Sequence, residues 1–200
     1  MIDARRFAPA VARNRDAILG VLERHLPPRG LVLEVASGTG EHAVHFAQHL
    51  GPDLIFQPSD PKPEARASID AWTAAAGAAN VRHAIALDAA MPDWPLERAD
   101  AILCINMVHI SPWNATEGLM RGAARILPAG GLLYLYGPYR RSGQHTAPSN
   151  ASFDADLRQQ NPAWGVRDIE AVIELAVAHG FSAPEIEDMP ANNLSLSFRL

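Results

Sequence analysis

Cysteine and lysine are almost absent from this 200-residue chain, Cys104 and Lys62 being the only residues of their kinds. One thiol excludes an internal disulfide and any multi-cysteine metal site. Cys104 lies in an apolar run, where an inert core thiol is expected. No stretch approaches the roughly 20 apolar residues that cross a bilayer. The first residues, with Asp3, Arg5 and Arg6, lack the apolar centre of a secretion signal. A soluble, cytoplasmic protein with no membrane partner is the expectation. Positive charge is not in surplus either: the net charge is -5, which argues against a nucleic-acid groove. No metal-ligand constellation, linker, repeat or low-complexity tract stands out. At 48% hydrophobic, residues 1–200 read as one domain with a sizeable core.

What is present alternates between strand and helix patterns. A helix over about Asn14–Leu26 carries Ile18, Leu19, Leu22 and Leu26 on one face, with Asn14 as its cap. Strands are predicted at Leu31–Val35, Leu54–Gln57, Val81–Leu87, Ala101–Asn106 and Leu132–Tyr136. Helices are predicted over about Glu41–Leu50, up to Ala76, Ala115–Leu127 and Arg167–Ala178. Such alternation gives a doubly wound parallel α/β sheet with ligands at the carboxyl ends of its strands. Glu185–Met189 and Leu194–Leu200 are joined by too short a link for a crossover helix, so they form an antiparallel hairpin. The expected sheet has seven strands. Residues 142–165, rich in Ser, Asn, Gln and Pro, read as a long loop suited to a substrate lid.

The chemistry concentrates at Leu31–His42. An apolar strand ends beyond Glu34, turns through Ala36, Ser37, Gly38, Thr39 and Gly40, and opens into a helix. Small residues allow close backbone approach to a ligand beside the free N–H groups of a helix start. Gly38, Gly40 and Ala43 also satisfy the dinucleotide fingerprint G-x-G-x-x-G/A. Glu34 discriminates: a carboxylate gains nothing beside a pyrophosphate, whereas it suits the ammonium of S-adenosylmethionine. Asp60, twenty residues past Gly40, either holds ribose hydroxyls or caps the next helix.

The turn and the C-terminal hairpin resemble the class I methyltransferases, which use S-adenosylmethionine on a Rossmann-like fold. Ala36 stands where that family usually has glycine. A closer resemblance is to the methyltransferase-like protein 26 family, carried by Phe7-Ala8-Pro9-Ala10, Arg13-Asn14-Arg15, Ala36–Gly40, Gln57-Pro58-Ser59-Asp60, Ile105–Trp113, Tyr134–Tyr139 and Pro190–Leu196. The resemblance implies S-adenosylmethionine as cofactor, with a cofactor-covering segment over residues 1–30. It implies Arg13 for the methionine carboxylate, Asp88 and the Ala89 N–H for adenine, and Asn106 beside the sulfonium. Around the acceptor it suggests His109 and Tyr139 as catalytic groups and Trp113 and Arg140 as substrate contacts. Each has a structural alternative: core histidine, helix start, or solvated turn.

The expected activity is methyl transfer to a small-molecule acceptor, of unidentified nature and with unknown oligomeric state. A nicotinamide oxidoreductase explains Gly38, Gly40, Ala43 and Asp60 but neither Glu34 nor the hairpin. A non-catalytic S-adenosylmethionine-binding protein is the third reading.

Overall fold

Consecutive apolar residues produce strands buried on both faces, and the computed structural model, which describes residues 3–200, has four of them in parallel. These are β1 (Gly30–Val35), β2 (Leu54–Pro58), β3 (Ala101–Ile105) and β4 (Leu132–Gly137). Helices α1 (Pro9–His25), α2 (Glu41–His49), α3 (Pro63–Ala76) and α4 (Trp113–Ile126) connect or precede them. After β4 come a two-residue pair, β5 (Arg140–Arg141) and β6 (Gln144–His145), and helices α5 (Pro148–Gln160) and α6 (Ile169–Ala178). The chain closes with β7 (Glu185–Met189) and β8 (Asn193–Arg199), which pair antiparallel, β8 also running antiparallel to β4. The sheet order is β2-β1-β3-β4-β8-β7. Residue alternation along β3 divides the core: Ile102 and Cys104 face α4 and α6, while Ala101, Leu103 and Ile105 face α1 and α2. The strand order reverses between the parallel neighbours β1 and β3, successive strands being added on opposite sides of that point, which opens a crevice at their carboxyl ends.

The doubly wound sheet with its antiparallel ending is as expected, but six strands are paired rather than seven. Val81–Leu87 makes only isolated bridges, Phe56 with Val81 and Ser59 with Ile85. Pro58 is the cause. The outward donors of β2 are residues 56, 58 and 60; Phe56 N–H reaches Asn80 O and Asp60 N–H reaches Ile85 O, while proline has no N–H to offer between them. The Gln57 side-chain amide fills the gap, donating to His83 O at 2.8 Å.

Two further expectations are corrected. α1 begins at Pro9, five residues before Asn14, with proline in its first turn and Ala8 as cap. Residues 142–165 are not a loop, because β6 and the whole of α5 lie there. The buried stripe of α5 is Asn150, Asp154 and Leu157, at helical spacing but largely polar. Asn150 donates to Thr146 Oγ1 and Asn192 O, and Asp154 accepts from Val166 N–H and Arg158. In the hairpin turn, Ala191 and Asn192 take left-handed geometry, whereas Asn193 is already extended.

Candidate active site

A cavity of about 640 Å³ occupies the crevice at the carboxyl ends of β1 and β3, within the range of small-molecule sites. Glu34, in β1, lines it. The side chain is 2% exposed and Oε2 has no hydrogen-bond partner. Burial pushes its carboxyl up to about 7, against an opposing contribution from Ser37 and with a further upward push from the Asp60 charge. The backbone around it is pinned: Ser37 Oγ and Ser59 Oγ both donate to Glu34 O, at 3.1 and 2.8 Å.

The turn after β1 forms the next wall through Ala36, Ser37, Gly38 and Thr39. Ala36 has φ 57, a left-handed conformation that disfavours any side chain by about 1–2 kcal/mol. Its methyl therefore marks a position where glycine would be the easier residue. Gly38, at φ 59, donates its N–H to Asp60 Oδ2 at 3.1 Å. Asp60 Oδ1 accepts from Lys62 N–H at 3.0 Å, so the side chain braces the turn that leads into α3, while Lys62 itself is the helix cap. Each Asp60 oxygen accepts one protein N–H, and a carboxylate oxygen has room for a second donor. Asp88 and Ala89 line the far end, with Asp88 Oδ1 accepting from Ala90 N–H. Asn106, at φ 64, lines the cavity at the end of β3, its backbone N–H tied to Tyr136 O.

The amino-terminal segment crosses the opening. Arg6 and Ala8 line the cavity. Arg6 N–H donates to Ser68 Oγ, Trp72 Nε1 donates to Arg6 O, and Ala8 N–H donates to Glu41 Oε2 at 2.7 Å.

Glu34, Ala36, Gly38, Asp60, Asp88, Ala89 and Asn106 are thus gathered around one cavity. Six other candidate residues are not. His109 is fully buried and outside the lining, edge-on to Tyr139 at 4.9 Å. The turn Asn106–Ile110, closed by His109 N–H to Asn106 O, sends the ring inward beneath Gly137, where a Cβ would collide with it. Both His109 ring nitrogens and the Tyr139 hydroxyl lack partners. Burial pushes His109 down to about 3, so its ring is neutral, and raises Tyr139 well above the ordinary phenol range. Neither residue is placed to touch an acceptor in the cavity. Trp113 opens α4 with the Arg167 guanidinium over its ring at 5.8 Å, outside the cavity. Arg140 pairs with Asp168 at 2.8 Å and serves the packing of α6. Arg13 is exposed on α1 and does not line the cavity. Gly40 is buried and not in the lining: a Cβ there would sit 2.6 Å from Ile69 Cα, so its role is contact between α2 and α3. None of residues 142–165 lines the cavity, and the lid expected there is instead a helix packed on its own polar stripe.

Arg6 and His42 line the cavity without having stood out in the sequence, and Met107, Ile110 and Ser111 join them from the Ile105–Trp113 segment. Pro9 as a first-turn signal would have moved the helix start and pointed to Arg6. His42 had no sequence signal beyond its neighbours.

The donors and acceptors present suit S-adenosylmethionine. Glu34, with Oε2 unpartnered, is suited to an ammonium, Asp60 to ribose hydroxyls, and Asp88 with the Ala89 N–H to an adenine edge. A family model described as "Protein of unknown function (DUF938)" matches residues 5–200. Among solved structures, a candidate O-methyltransferase from Nostoc punctiforme aligns at TM-score 0.82 and 20% identity, covering 96% of this chain and 57% of its own. An O-methyltransferase family protein from Burkholderia thailandensis aligns at 0.81 and 15%, covering 95% and 57%. CalO1, a methyltransferase of calicheamicin biosynthesis solved with S-adenosylhomocysteine bound, aligns at 0.74 and 17%, covering 95% and 54%. The chain therefore spans little more than half the length of these proteins, and the likeness is one of fold.

Proposed function

The chain belongs to the DUF938 family, and from the cavity it builds on a methyltransferase-like fold we propose that it transfers a methyl group from S-adenosylmethionine to a small-molecule acceptor. One observation carries the reading: a buried carboxyl, Glu34, whose Oε2 has no partner, lines the cavity beside the glycine turn. A buried charge without a partner is costly, so such a site favours a cationic ligand group. The pyrophosphate of a nicotinamide cofactor would meet repulsion there. The finer assignment to the methyltransferase-like protein 26 family rests on the segments named above.

S-adenosylmethionine supplies a methyl already activated by its sulfonium. The protein's work is alignment and exclusion of water. Asp60 would fix the ribose and Glu34 the methionine end, which leaves the methyl directed at the space bounded by Asn106, Met107 and Ile110. Arg6, the only guanidinium of the lining, takes the place expected of Arg13 in meeting a carboxylate. Calorimetry tests the assignment. S-adenosylhomocysteine should bind with a dissociation constant in the low-micromolar range, on the order of -8 kcal/mol, and NAD far more weakly. Tight NAD binding with no heat from S-adenosylhomocysteine would refute it. A non-catalytic binder would pass that test but give no labelled product from methyl-labelled cofactor and a small-molecule cell extract.

A further inference from the structure

We propose that His42 accepts the proton of the acceptor during methyl transfer, so that the acceptor presents a hydroxyl; this rests on the methyltransferase reading above. His42 stands in the first turn of α2, lines the cavity and is 7% exposed. Its Nε2 lies 2.9 Å from Asn14 Oδ1. The contact is to the amide oxygen of Asn14, which can only accept. Nε2 therefore carries the ring proton, and Nδ1 keeps a lone pair with no protein partner. The ring is stacked on Phe46 at 5.5 Å, which limits its rotation.

The charges around His42 keep it neutral. Arg15 on α1 and His45 on α2 both disfavour an imidazolium, and burial, the largest cause, pushes the ring down to about 4. From α1 the other neighbour is Asn14, which carries no charge. An unprotonated Nδ1 repels a carboxylate and attracts a proton donor. The other ionisable groups of the lining are otherwise engaged: Arg6 and Lys62 are cations, Glu34 and Asp60 are assigned to the cofactor, and Asp88 is exposed and tied to Ala90. Asn14 belongs to the Arg13-Asn14-Arg15 segment, whose arginines do not line the cavity, so this contact gives that segment its place in the site.

The step balances as follows. The acceptor O–H bond breaks and its proton moves to His42 Nδ1, while an oxygen electron pair forms the O–CH3 bond. The C–S bond breaks with its pair going to sulfur, which leaves a neutral thioether. The imidazolium then releases its proton to solvent. A weakly basic ring suffices, because the oxygen becomes sharply more acidic as the O–C bond forms.

The test compares wild type with His42→Gln, using methyl-labelled S-adenosylmethionine and a small-molecule cell extract. Labelled product should form on the order of 100-fold more slowly or worse, while the calorimetric dissociation constant for S-adenosylhomocysteine stays within about threefold. A rate within about threefold of wild type would overturn the proposal. So would a parallel loss of S-adenosylhomocysteine affinity, which would assign His42 to the cofactor. Imidazole nitrogen NMR of the wild-type protein with S-adenosylhomocysteine gives an arm independent of the acceptor. A neutral ring protonated on Nε2 at pH 7 supports the proposal, and a proton on Nδ1 or a charged ring overturns it. If wild type neither binds S-adenosylhomocysteine nor labels any product, the methyltransferase reading itself has failed and takes this proposal with it.

Discussion

Replacing Glu34 by glutamine should stabilise the free protein and weaken its hold on the cofactor. The carboxyl titrates at about 7 in the fold against an ordinary value of 4.5. A raised acid costs nothing below its unfolded value, costs more with each step of pH between the two values, and reaches a constant penalty above the folded one. The difference, 7 - 4.5, corresponds to about 3 kcal/mol at 1.36 kcal/mol per pH unit. Glu34→Gln preserves shape and removes the charge, so at pH 8 it should raise the melting temperature by several degrees, at roughly 2–4 °C per kcal/mol for a chain of this size. At pH 4.5 the two proteins should melt alike. Binding runs the other way. At pH 8 the variant loses a hydrogen-bonded pair with the cofactor ammonium, about 1.5–3 kcal/mol. In wild type, the carboxyl must shed its proton to form that pair below pH 7, so affinity should fall roughly tenfold per pH unit there; in the variant it should not. Thermal unfolding and S-adenosylhomocysteine calorimetry at pH 6 and 8 read all of this. A variant less stable than wild type at pH 8, or a wild-type affinity unchanged between pH 6 and 8, would refute the reasoning.

Two further substitutions test placements that the structure revised. Gly40→Ala should cost about 2–3 kcal/mol in urea unfolding, because its Cβ would meet Ile69 Cα at 2.6 Å with the backbone at φ 91; near-normal stability would show that α2 and α3 have room to separate. Tyr139→Phe removes a buried hydroxyl with no partner, so stability should hold or rise by up to about 1 kcal/mol and S-adenosylhomocysteine affinity should not change. A clear loss of stability would mean that the hydroxyl is satisfied.

The strand–turn–helix around Glu34 and Gly38 was legible because each residue there acts locally: apolar strand, small turn, helix start. The β7–β8 hairpin was legible for the same reason, its short link allowing one connection. What escaped depended on distant partners. α5 hid because Asn150 and Asp154 occupy its buried face and are satisfied by Thr146, Asn192, Arg158 and Val166, so no apolar period announces it. The strand expected at Val81–Leu87 has suitable residues but faces a proline on its neighbour. His109 and Tyr139 sit at strand ends, where catalytic groups often do. Which way they point is decided by the Asn106–Ile110 turn and by the space above Gly137, and neither can be read from spacing.

The missing donor at Pro58 has a consequence for the sheet's margins. An open sheet invites a foreign strand to continue its ladder, and a flat, fully paired edge is the best template for such growth. Beyond β2, the outer chain is held at separated points, and one of those is a side chain standing in for backbone. A strand arriving there finds no regular row of donors to copy. At the opposite margin, β7 carries Glu185, Glu187 and Asp188 within five residues. A second copy laid against it would bring like charges together. One margin resists addition by irregular geometry and the other by charge, so acid, which neutralises carboxylates, would relax the guard on the β7 side alone.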